Sequence, residues 1–450
     1  MKLVLLSGGS GKRLWPLSND SRSKQFLQVL RNESGDMESM VQRVWRQLRK
    51  CGLQRHAVIA TGKGQVDMIR GQLGGAAPLV VEPERRDTFP AIALAAAYLY
   101  SIAGVSLQET VVVLPVDPYV EDAFFLMLHA LDEALRHSKA DLALIGVKPT
   151  HPAEKYGYII PKKVKSGAGT AGYLPIRMFK EKPDCRLAAK LIAQGALWNC
   201  GVFAFRLAFL INHLERRGIP LSFEALARKY DALPKNSFDY EIVEKTAARI
   251  VIPYAGTWKD LGTWNTLTEE METRALGNAW IGEAADNSHV VNELGIPVAL
   301  IGIRNAVVAA SHDGILVADK AYSHQIKTLL GHFDQRPVYA EWMWGSRKVL
   351  DVRKCADGSE MQVELVSVNA GCRFGDHVRL KYHETWTILS GEGTIMLDES
   401  EFRVKPGDTF CIKAGVRHAL RADTRLELIV VQHGNESDRN NLVELMDECL

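Results

Sequence analysis

The chain has 450 residues, of which 47% are hydrophobic and 24% charged, and its formal net charge at pH 7 is +2. This length exceeds what one hydrophobic core supports, so the composition predicts a globular protein of two or three domains. The near balance of acidic and basic residues excludes a strong electrostatic case for nucleic acid or an anionic membrane as a partner. No apolar run is long enough to span a bilayer.

Cysteine usage and the first residues bear on the cellular compartment. The seven cysteines are scattered and form no CxxC pair, which predicts reduced thiols rather than a zinc site. One lysine and a strand-length apolar run follow the first methionine, and this is not the pattern of a signal peptide. We therefore expect a cytoplasmic protein.

A glycine-rich turn follows the first apolar run, Leu3–Leu6, which is typical of a buried strand. Glycines let backbone N–H groups approach a phosphate closely, and the adjacent Lys12 and Arg13 supply positive charge. The spacing fits neither GxxxxGK[ST] nor GxGxxG, because the glycines are too tightly clustered. The turn therefore predicts a phosphate site of another kind.

Strand-like and helix-like segments alternate over the first 150 residues. The predicted strands are Leu3–Leu6, His56–Thr61, Leu79–Glu82, Thr110–Pro115 and Asp141–Val147, and the clearest predicted helices are Ala91–Ala103 and Ala123–Ser138. Such alternation predicts a largely parallel sheet with helices on both faces. Ligands of such sheets bind beyond the carboxyl ends of the strands.

Polar residues follow two of these strands. After the strand that ends at Glu82, Thr88 is a predicted helix N-cap with Pro90 in the first turn. Asp117 follows the strand that ends at Pro115, and a carboxylate in that place needs a partner. A bound cation is one such partner and a helix N-terminus is the alternative.

Several segments in a fixed order carry a family resemblance. The string GGSGKRLWPLS with KQFL after it resembles the signature of sugar-1-phosphate nucleotidylyltransferases, and most closely that of the mannose-1-phosphate guanylyltransferases. The later segments that resemble this family are EPERRDTFP, LPVDP, PTHP with YGYI, EKPD, WNCGVF, SFDYEIVEK and WKDLGTW. At this length, the resemblance is to the bifunctional guanylyltransferase and mannose-6-phosphate isomerase family.

The resemblance implies an α/β fold in three parts. These are a nucleotidyltransferase domain over 1–270 with a doubly wound mixed sheet, a short β-helix-like connector over 271–335 and a cupin β-barrel over 336–450. It also implies a reaction in which GTP and α-D-mannose 1-phosphate become GDP-mannose and diphosphate, with Mg²⁺ as the cofactor. We further expect a homodimer.

The same resemblance implies roles for individual residues. The expected nucleotide-binding residues are Ser7, Gly8, Gly9, Gly11, Lys12, Arg13, Glu82, Arg86, Thr88 and Asp117. The expected sugar-phosphate-binding residues are Tyr156, Gly157, Glu181, Lys182, Asn199 and Asp260. Asp117 and Asp260 are the expected Mg²⁺ ligands, and the residues expected to act in catalysis are Arg13, Lys24, Asp117 and Lys182.

Three departures from the family pattern keep alternatives open. Asp87 stands where the family usually has Asn, Pro118 replaces a His, and Lys12 replaces a Thr. They leave room for a pyrophosphorylase of another sugar phosphate or nucleotide. A catalytically silent paralogue that senses a ligand or acts as a scaffold is the alternative from another class, and the retention of both metal-binding aspartates argues against it.

The C-terminal barrel departs further from the family. Glu384 and His418 match metal ligands of the isomerase, but Arg379 and Lys381 align with its two histidines, and such cations repel a metal. His377 and His383 are six residues apart, too far to act as neighbours on one strand face. We expect a barrel that has lost its metal and serves structure or dimerisation. A degenerate metal site and isomerase activity are the alternatives.

Overall fold

The computed structural model describes residues 1–9, 11–19, 21–75, 77–162, 172–332, 337–356, 358–380, 382–435 and 442–446. Lys381, whose positive charge is expected to repel a metal in the barrel, lies outside these ranges. The described chain divides into two compact units. The first contains Met1–Gly11 and Ser23–Glu272, and the second contains Lys12–Arg22 and Thr273–Leu450. The domain boundaries expected at 270 and 335 remain predictions.

The first unit alternates strands and helices. Its strands are β1 (Lys2–Leu6), β2 (Leu30–Arg31), β3 (Met37–Glu38), β4 (Ala57–Gly62), β5 (Leu79–Glu82), β6 (Thr110–Pro115), β7 (Pro118–Val120), β8 (Leu142–Val147), β9 (Tyr158–Pro161), β10 (Leu174–Lys180), β11 (Leu197–Arg206), β12 (Arg249–Tyr254) and β13 (Trp258–Asp260). Its α-helices are α1 (Met40–Lys50), α2 (Val66–Leu73), α3 (Thr88–Ser101), α4 (Asp122–His137), α5 (Cys185–Ala193), α6 (Leu207–Arg216), α7 (Phe223–Arg228) and α8 (Trp264–Thr268).

A large mixed sheet organises this unit. Its strand order is β5-β4-β1-β6-β11-β8-β12-β10-β9. Strands β5, β4, β1 and β6 run parallel to one another, whereas β11 is antiparallel to both of its neighbours. The predicted doubly wound mixed sheet is therefore confirmed. The carboxyl ends of β1, β4, β5 and β6 meet at one edge, as parallel pairing requires.

The central strands of the sheet are buried on both faces, which explains why β1, β4, β6 and β8 are almost continuously apolar. On one face, Leu3 and Leu5 belong to the same core as Val44 of α1 and Leu128 of α4. On the other face, Val4 belongs to a second core with residues of α3 and α6. The period of two along β1 thus assigns successive side chains to opposite layers.

The start of α3 corrects one expectation. Thr88 is not the N-cap of this helix but its first residue. The N-cap is Asp87, whose carboxylate accepts the N–H of Thr88 at 2.7 Å. Aspartate is itself a strong capping residue, and the N-cap position is occupied by Asp87 rather than by the threonine after it.

The second unit is mainly β-structure. Its strands are β14 (Ala275–Leu276), β15 (Ala279–Ile281), β16 (His289–Asn292), β17 (Val298–Leu300), β18 (Ala306–Ser311), β19 (Gly314–Asp319), β20 (Tyr339–Trp342), β21 (Gly345–Lys354), β22 (Ser359–Val368), β23 (Arg373–Arg379), β24 (His383–Ser390), β25 (Gly393–Leu397), β26 (Ser400–Val404), β27 (Thr409–Ile412), β28 (Arg417–Ala422), β29 (Leu426–Asn435) and β30 (Leu442–Met446). A short helix, α9 (Ile326–Leu329), follows the first six of these strands.

These strands form two kinds of arrangement. Strands β14, β16 and β18 pair in parallel, as do β15 and β17, which confirms the β-helix-like connector. The later strands form two sheets with the orders β20-β21-β22-β29-β24-β27 and β26-β25-β28-β23-β30. Apolar side chains of both sheets, including Val366 and Ile395, share one core, which confirms the cupin barrel.

Two further sequence expectations concern cysteines and membranes. Cys51, Cys185, Cys200, Cys355 and Cys411 are free, as expected. Cys372 is disulfide-bonded, so the expectation of reduced thiols is wrong at this residue. Within the described ranges, every helix is too short or too polar to cross a bilayer.

Candidate functional site

A cavity of about 260 Å³ opens at the edge where the parallel strands end. Its lining comes from strands β1, β4, β5 and β6, from turns that follow them and from the start of α3. The lining residues are Leu6, Gly8, Gly9, Ala60, Glu82, Arg85, Arg86, Asp87, Thr88, Ala91, Pro115 and Asp117. Six of the residues predicted to bind a nucleotide therefore share one cavity.

The glycine turn is held by side chains that sequence reasoning missed. Gln25 donates a hydrogen bond to the carbonyl of Ser7 at 3.3 Å. The amide of Gln65 donates to the carbonyl of Gly9 at 3.1 Å and to the Ser23 hydroxyl at 2.7 Å. Both glutamines are buried, and because buried amides keep their partners, they fix the path of the turn.

Gly11 closes the turn in a conformation that needs glycine. Its φ is +58°, and a Cβ there would lie 2.5 Å from the backbone nitrogen of Lys24. The turn therefore packs directly against the segment that carries Lys24.

Glu82 lies at the end of β5 and is buried. The hydroxyl of Tyr230 donates a hydrogen bond to its Oε2 at 2.6 Å. Burial raises the pKa of Glu82, while this hydrogen bond and the charge of Arg85 oppose the rise. A buried acceptor beside a cavity is suited to bind the N–H groups of a ligand.

Arg86 and Thr88 are anchored to the segment that follows α7. The guanidinium of Arg86 donates to the carbonyl of Leu233 through Nε at 3.2 Å and Nη2 at 3.0 Å. The hydroxyl of Thr88 accepts the N–H of Phe238 at 2.9 Å. These contacts orient the start of α3 against the cavity.

Asp117 and Asp260, far apart in the sequence, converge on one ammonium group. The Nζ of Lys24 lies 2.7 Å from Asp117 Oδ2 and 3.5 Å from Asp260 Oδ1. The cause is a two-stranded antiparallel ribbon in which Asp260 of β13 is opposite Pro118 of β7. The proline that departs from the family pattern is therefore part of the ribbon that joins the two carboxylates.

This carboxylate pair fits a divalent metal. Both aspartates offer the oxygen donors that hard cations prefer, and they already meet at a position of positive charge. Lys155 adds a second ammonium 3.7 Å from Asp260 Oδ2. The positive charges of Lys24 and Lys155 balance the negative charges of the two carboxylates.

Five of the six residues predicted to bind the sugar phosphate gather where β9, β10 and β11 meet, whereas Asp260 lies on the ribbon of β7 and β13. A Cβ on Gly157 would lie 2.4 Å from Glu181 Oε2 and 2.9 Å from the ring of Phe179. The carbonyl of Gly157 accepts the N–H of Asn199 at 2.8 Å. Only a residue without a side chain allows this close approach.

Glu181 carries a buried oxygen that is suited to a ligand. Its Oε1 lies 3.2 Å from Lys182 Nζ, whereas its Oε2 is buried without a hydrogen-bond partner among the described residues. Burial raises the pKa of this carboxyl, and the charge of Lys182 opposes the rise. Lys182 adopts a φ of +43°, a strained conformation of the kind found at functional sites.

Aromatic rings border the same region. The ring centroid of Tyr156 lies 4.8 Å from that of Trp198 and 5.4 Å from that of Trp258. Lys155 Nζ lies 4.7 Å from the centroid of the Tyr156 ring. Tyr156 thus links the segment before β9 to the strand that carries Asp260.

Asp239 is a site residue that sequence reasoning did not identify. Its Oδ1 accepts the amide N–H of Asn199 at 2.7 Å. Burial and the charge of Glu181 raise the pKa of Asp239 to about 7. The motif SFDYE already contained this residue, but only the fold brings it to Asn199.

The raised pKa of Asp239 predicts a pH effect on stability. The folded state holds the proton more tightly than the unfolded state, so stability is lost as the pH rises from about 4 to about 7. Asp239→Asn keeps an acceptor for Asn199 without the charge. We expect it to be more stable than the parent at about pH 8 by about 1–2 kcal/mol, with a smaller gain at about pH 5.

Unfolding followed at both pH values measures this difference. The exposed Asp36→Asn serves as the control and should shift neither curve. An Asp239→Asn advantage that is equal at both pH values would contradict the prediction.

Lys12 and Arg13 belong to the second unit. They form a single 3-10 turn, Lys12–Leu14, and Leu14 is buried. The end of the same segment contacts the connector. Arg22 Nη1 lies 2.9 Å from Glu293 Oε1, and the amide of Asn19 donates a hydrogen bond to Asp313 Oδ2 at 2.5 Å. The nucleotide-binding roles of Lys12 and Arg13 remain predictions.

Comparisons with known proteins agree with both parts of the chain. Residues 2–275 match the family described as Nucleotidyl transferase, and residues 364–432 match the family described as Cupin domain. The chain is similar to the Xanthan biosynthesis protein XanB of Xanthomonas campestris, with 29% identity over 99% of this chain and 98% of that protein. It is also similar to a putative mannose-1-phosphate guanylyltransferase of Vibrio cholerae, with 28% identity over 99% of both.

A solved structure has a similar fold. It is the mannose-1-phosphate geranyltransferase from Thermus thermophilus, which is 26% identical and has a TM-score of 0.61. The similarity covers 74% of this chain and 99% of that one.

Proposed function

Because the chain belongs to the nucleotidyl transferase family, we propose that it transfers a guanylyl group from GTP to α-D-mannose 1-phosphate, with GDP-mannose and diphosphate as products. The observation that carries this proposal is the convergence of Asp117 and Asp260 beside a glycine-lined cavity at the carboxyl ends of parallel strands. The name of the Vibrio cholerae relative supports the choice of sugar and nucleotide.

The reaction exchanges one phosphoanhydride for another. A phosphate oxygen of mannose 1-phosphate attacks the α-phosphorus of GTP, and the bond from that phosphorus to the bridging oxygen breaks as diphosphate leaves. The nucleophile is already an anion, so no general base is needed. The protein must instead align two polyanions and balance the charge that develops on the leaving group.

The basic residues are assigned to phosphate groups as the family resemblance implies. We assign Arg13 and Lys24 to the leaving diphosphate and Lys182 to the phosphate of the incoming sugar. Lys24 is held by two carboxylates, which keeps its ammonium beside the cavity lining. Such fixed charges stabilise a transition state without reorganising during the reaction.

Members of the nucleotidyl transferase family generally use a divalent metal, and we propose Mg²⁺ for this chain. Asp117 and Asp260 would hold it. When bound, Mg²⁺ would supply positive charge that offsets the negative charge of the phosphates. The two carboxylates orient that charge, and Lys24 is then available to the phosphates.

The remaining nucleotide-binding residues are assigned to the triphosphate and to the nucleoside of GTP. Backbone N–H groups of Ser7, Gly8, Gly9 and Gly11, together with Lys12, are proposed to contact the triphosphate. Glu82, Arg86 and Thr88 are proposed to contact the nucleoside, and Glu82 has an acceptor for the N–H groups of guanine.

The sugar end has its own proposed ligands. The buried Oε2 of Glu181 is suited to accept a sugar hydroxyl, and Asn199, Tyr156 and Gly157 line the same region. A hydroxyl there would satisfy a buried acceptor, which makes the pocket selective for sugars that carry it.

A substrate panel tests the proposal. The purified chain is incubated with Mg²⁺ and each combination of four NTPs with mannose, glucose and N-acetylglucosamine 1-phosphates, and diphosphate release is measured. We expect GTP with mannose 1-phosphate to exceed every other pair by at least about tenfold in kcat/KM. Faster release with another pair would overturn the assignment, and no release with any pair would favour a silent paralogue.

The proposed substrates also bear on location and assembly. GTP and sugar phosphates are metabolites of the cytoplasm, which supports a cytoplasmic location. A homodimer is part of the same proposal, and the mass of the chain in solution tests it.

A further inference from the structure

The barrel of the second unit contains the buried carboxylate of Glu384, and neighbouring side chains contact both of its oxygens. Arg379 Nε lies 2.5 Å from Glu384 Oε1, and the amide of Gln432 donates to the same oxygen at 3.1 Å. The indole N–H of Trp386 donates to Oε2 at 2.8 Å, and His418 Nε2 lies 3.2 Å from that oxygen. The described contacts therefore occupy the carboxylate on both sides.

Three side chains around this point have the composition of a metal site. Potential ligand atoms of His377, Glu384 and His418 all lie within 4.8 Å of one another, and all three residues are buried. The rings of His377 and His418 have centroids 4.5 Å apart. By contrast, His383 is exposed, and its Nδ1 accepts the N–H of Ala414 at 3.4 Å. Two histidines and one carboxylate would suit a transition-metal dication.

A metal does not fit this cluster as it stands. An ion bound to Glu384 would compete with a guanidinium that is already 2.5 Å from its Oε1. Arginine stays protonated at any pH at which the protein folds, so this competitor cannot be neutralised. A dication and a guanidinium on the same carboxylate would repel each other strongly in the buried setting.

The buried carboxylate of Glu384 is paired with a positive charge inside the barrel. Glu384 is buried, and a buried carboxylate needs a paired positive charge, which Arg379 supplies 2.5 Å from its Oε1. Arg379 lies at the end of β23, and its side chain is mostly buried.

We infer that the guanidinium of Arg379 takes the place of a metal ion in the barrel, and that this one side chain keeps a latent two-histidine, one-carboxylate site closed. The cluster of His377, Glu384 and His418 then binds a transition-metal dication only when the positive charge at residue 379 is removed. This inference does not depend on the guanylyltransferase proposal.

Cobalt binding tests the inference on the full chain. The parent, Arg379→Gln, Arg379→His and Arg379→Lys are dialysed against Co²⁺ and then against buffer, and bound metal and visible absorption are measured. We expect Arg379→Gln and Arg379→His to retain about one more Co²⁺ per chain than the parent, with absorption bands of histidine-ligated cobalt. Arg379→Lys keeps a cation and should behave like the parent.

A second substitution locates the bound ion. Adding His418→Gln to Arg379→His should abolish the extra Co²⁺ and its bands, while any metal at Asp117 and Asp260 stays unaffected. Thermal unfolding keeps the test valid if a variant is unstable, because Zn²⁺ should raise the unfolding temperature of Arg379→Gln by more than it raises that of the parent.

Two outcomes would overturn the inference. One is a parent protein that holds metal lost on His418→Gln, since the site would then be open with Arg379 present. The other is a folded Arg379→Gln and Arg379→His pair that binds no additional cobalt and gains no more stability from zinc than the parent does.

Discussion

Asp117→Asn is expected to lower kcat for diphosphate release by at least about a hundredfold. The substitution keeps the size of the side chain but removes the charge that lies 2.7 Å from Lys24 Nζ. It also halves the charge of the pair proposed to hold Mg²⁺. The residual activity should therefore need a higher Mg²⁺ concentration, which a titration of rate against MgCl₂ measures.

Glu33→Gln is a matched control for this experiment. Glu33 is also a carboxylate of the first unit paired with a lysine, since Lys50 Nζ lies 2.5 Å from its Oε1, but Glu33 is exposed. Exposed pairs contribute little, so the control should keep the parent rate. An Asp117→Asn variant with the parent rate and the parent Mg²⁺ dependence would rule out the proposed metal site.

Gly157→Ala is the second substitution with a large expected effect. The added methyl group would lie 2.4 Å from Glu181 Oε2 and 2.9 Å from the ring of Phe179, so the buried carboxylate must move. We expect KM for mannose 1-phosphate to rise at least about tenfold and stability to fall by about 1–3 kcal/mol. KM for GTP should change much less, because the cavity at the ends of β1, β5 and β6 is untouched.

Gly75→Ala controls for the general effect of a glycine substitution. Gly75 is exposed, and a Cβ there meets nothing within 4 Å. Initial rates at varied concentrations of each substrate separate the two KM values, and thermal unfolding confirms that both variants are folded. Equal increases in both KM values for Gly157→Ala would argue against a sugar-specific role for this region.

Local pattern was sufficient for much of the fold. The apolar run at Leu3–Leu6, the helix after Pro90 and the alternation of strands and helices are properties of short segments, and the mixed sheet confirms them. The sequence predicts the N-cap of α3 one residue late because Asp87 and Thr88 are both good capping residues. Only the backbone conformation distinguishes them, and Asp87 has a φ of 74°.

Other features had no local signal. Gln25 and Gln65 hold the glycine turn through side-chain hydrogen bonds, which leave no spacing pattern in the sequence. His377 joins the barrel cluster although it is not spaced as the family's histidines are, because β23 pairs with β28 and sets it opposite His418. Strand pairing, rather than spacing along one strand, brings His377 next to His418.

The sequence by itself determined the family, the order of the motifs and the types of residue available for the chemistry, since these depend on composition and short-range spacing. The tertiary structure decided which of those residues meet. Asp117 and Asp260 converge because a two-stranded ribbon pairs β7 with β13, and Asp239 reaches Asn199 across the first unit. Such contacts depend on the register of distant strands, which is set by the packing of the whole sheet rather than by the residues near each motif.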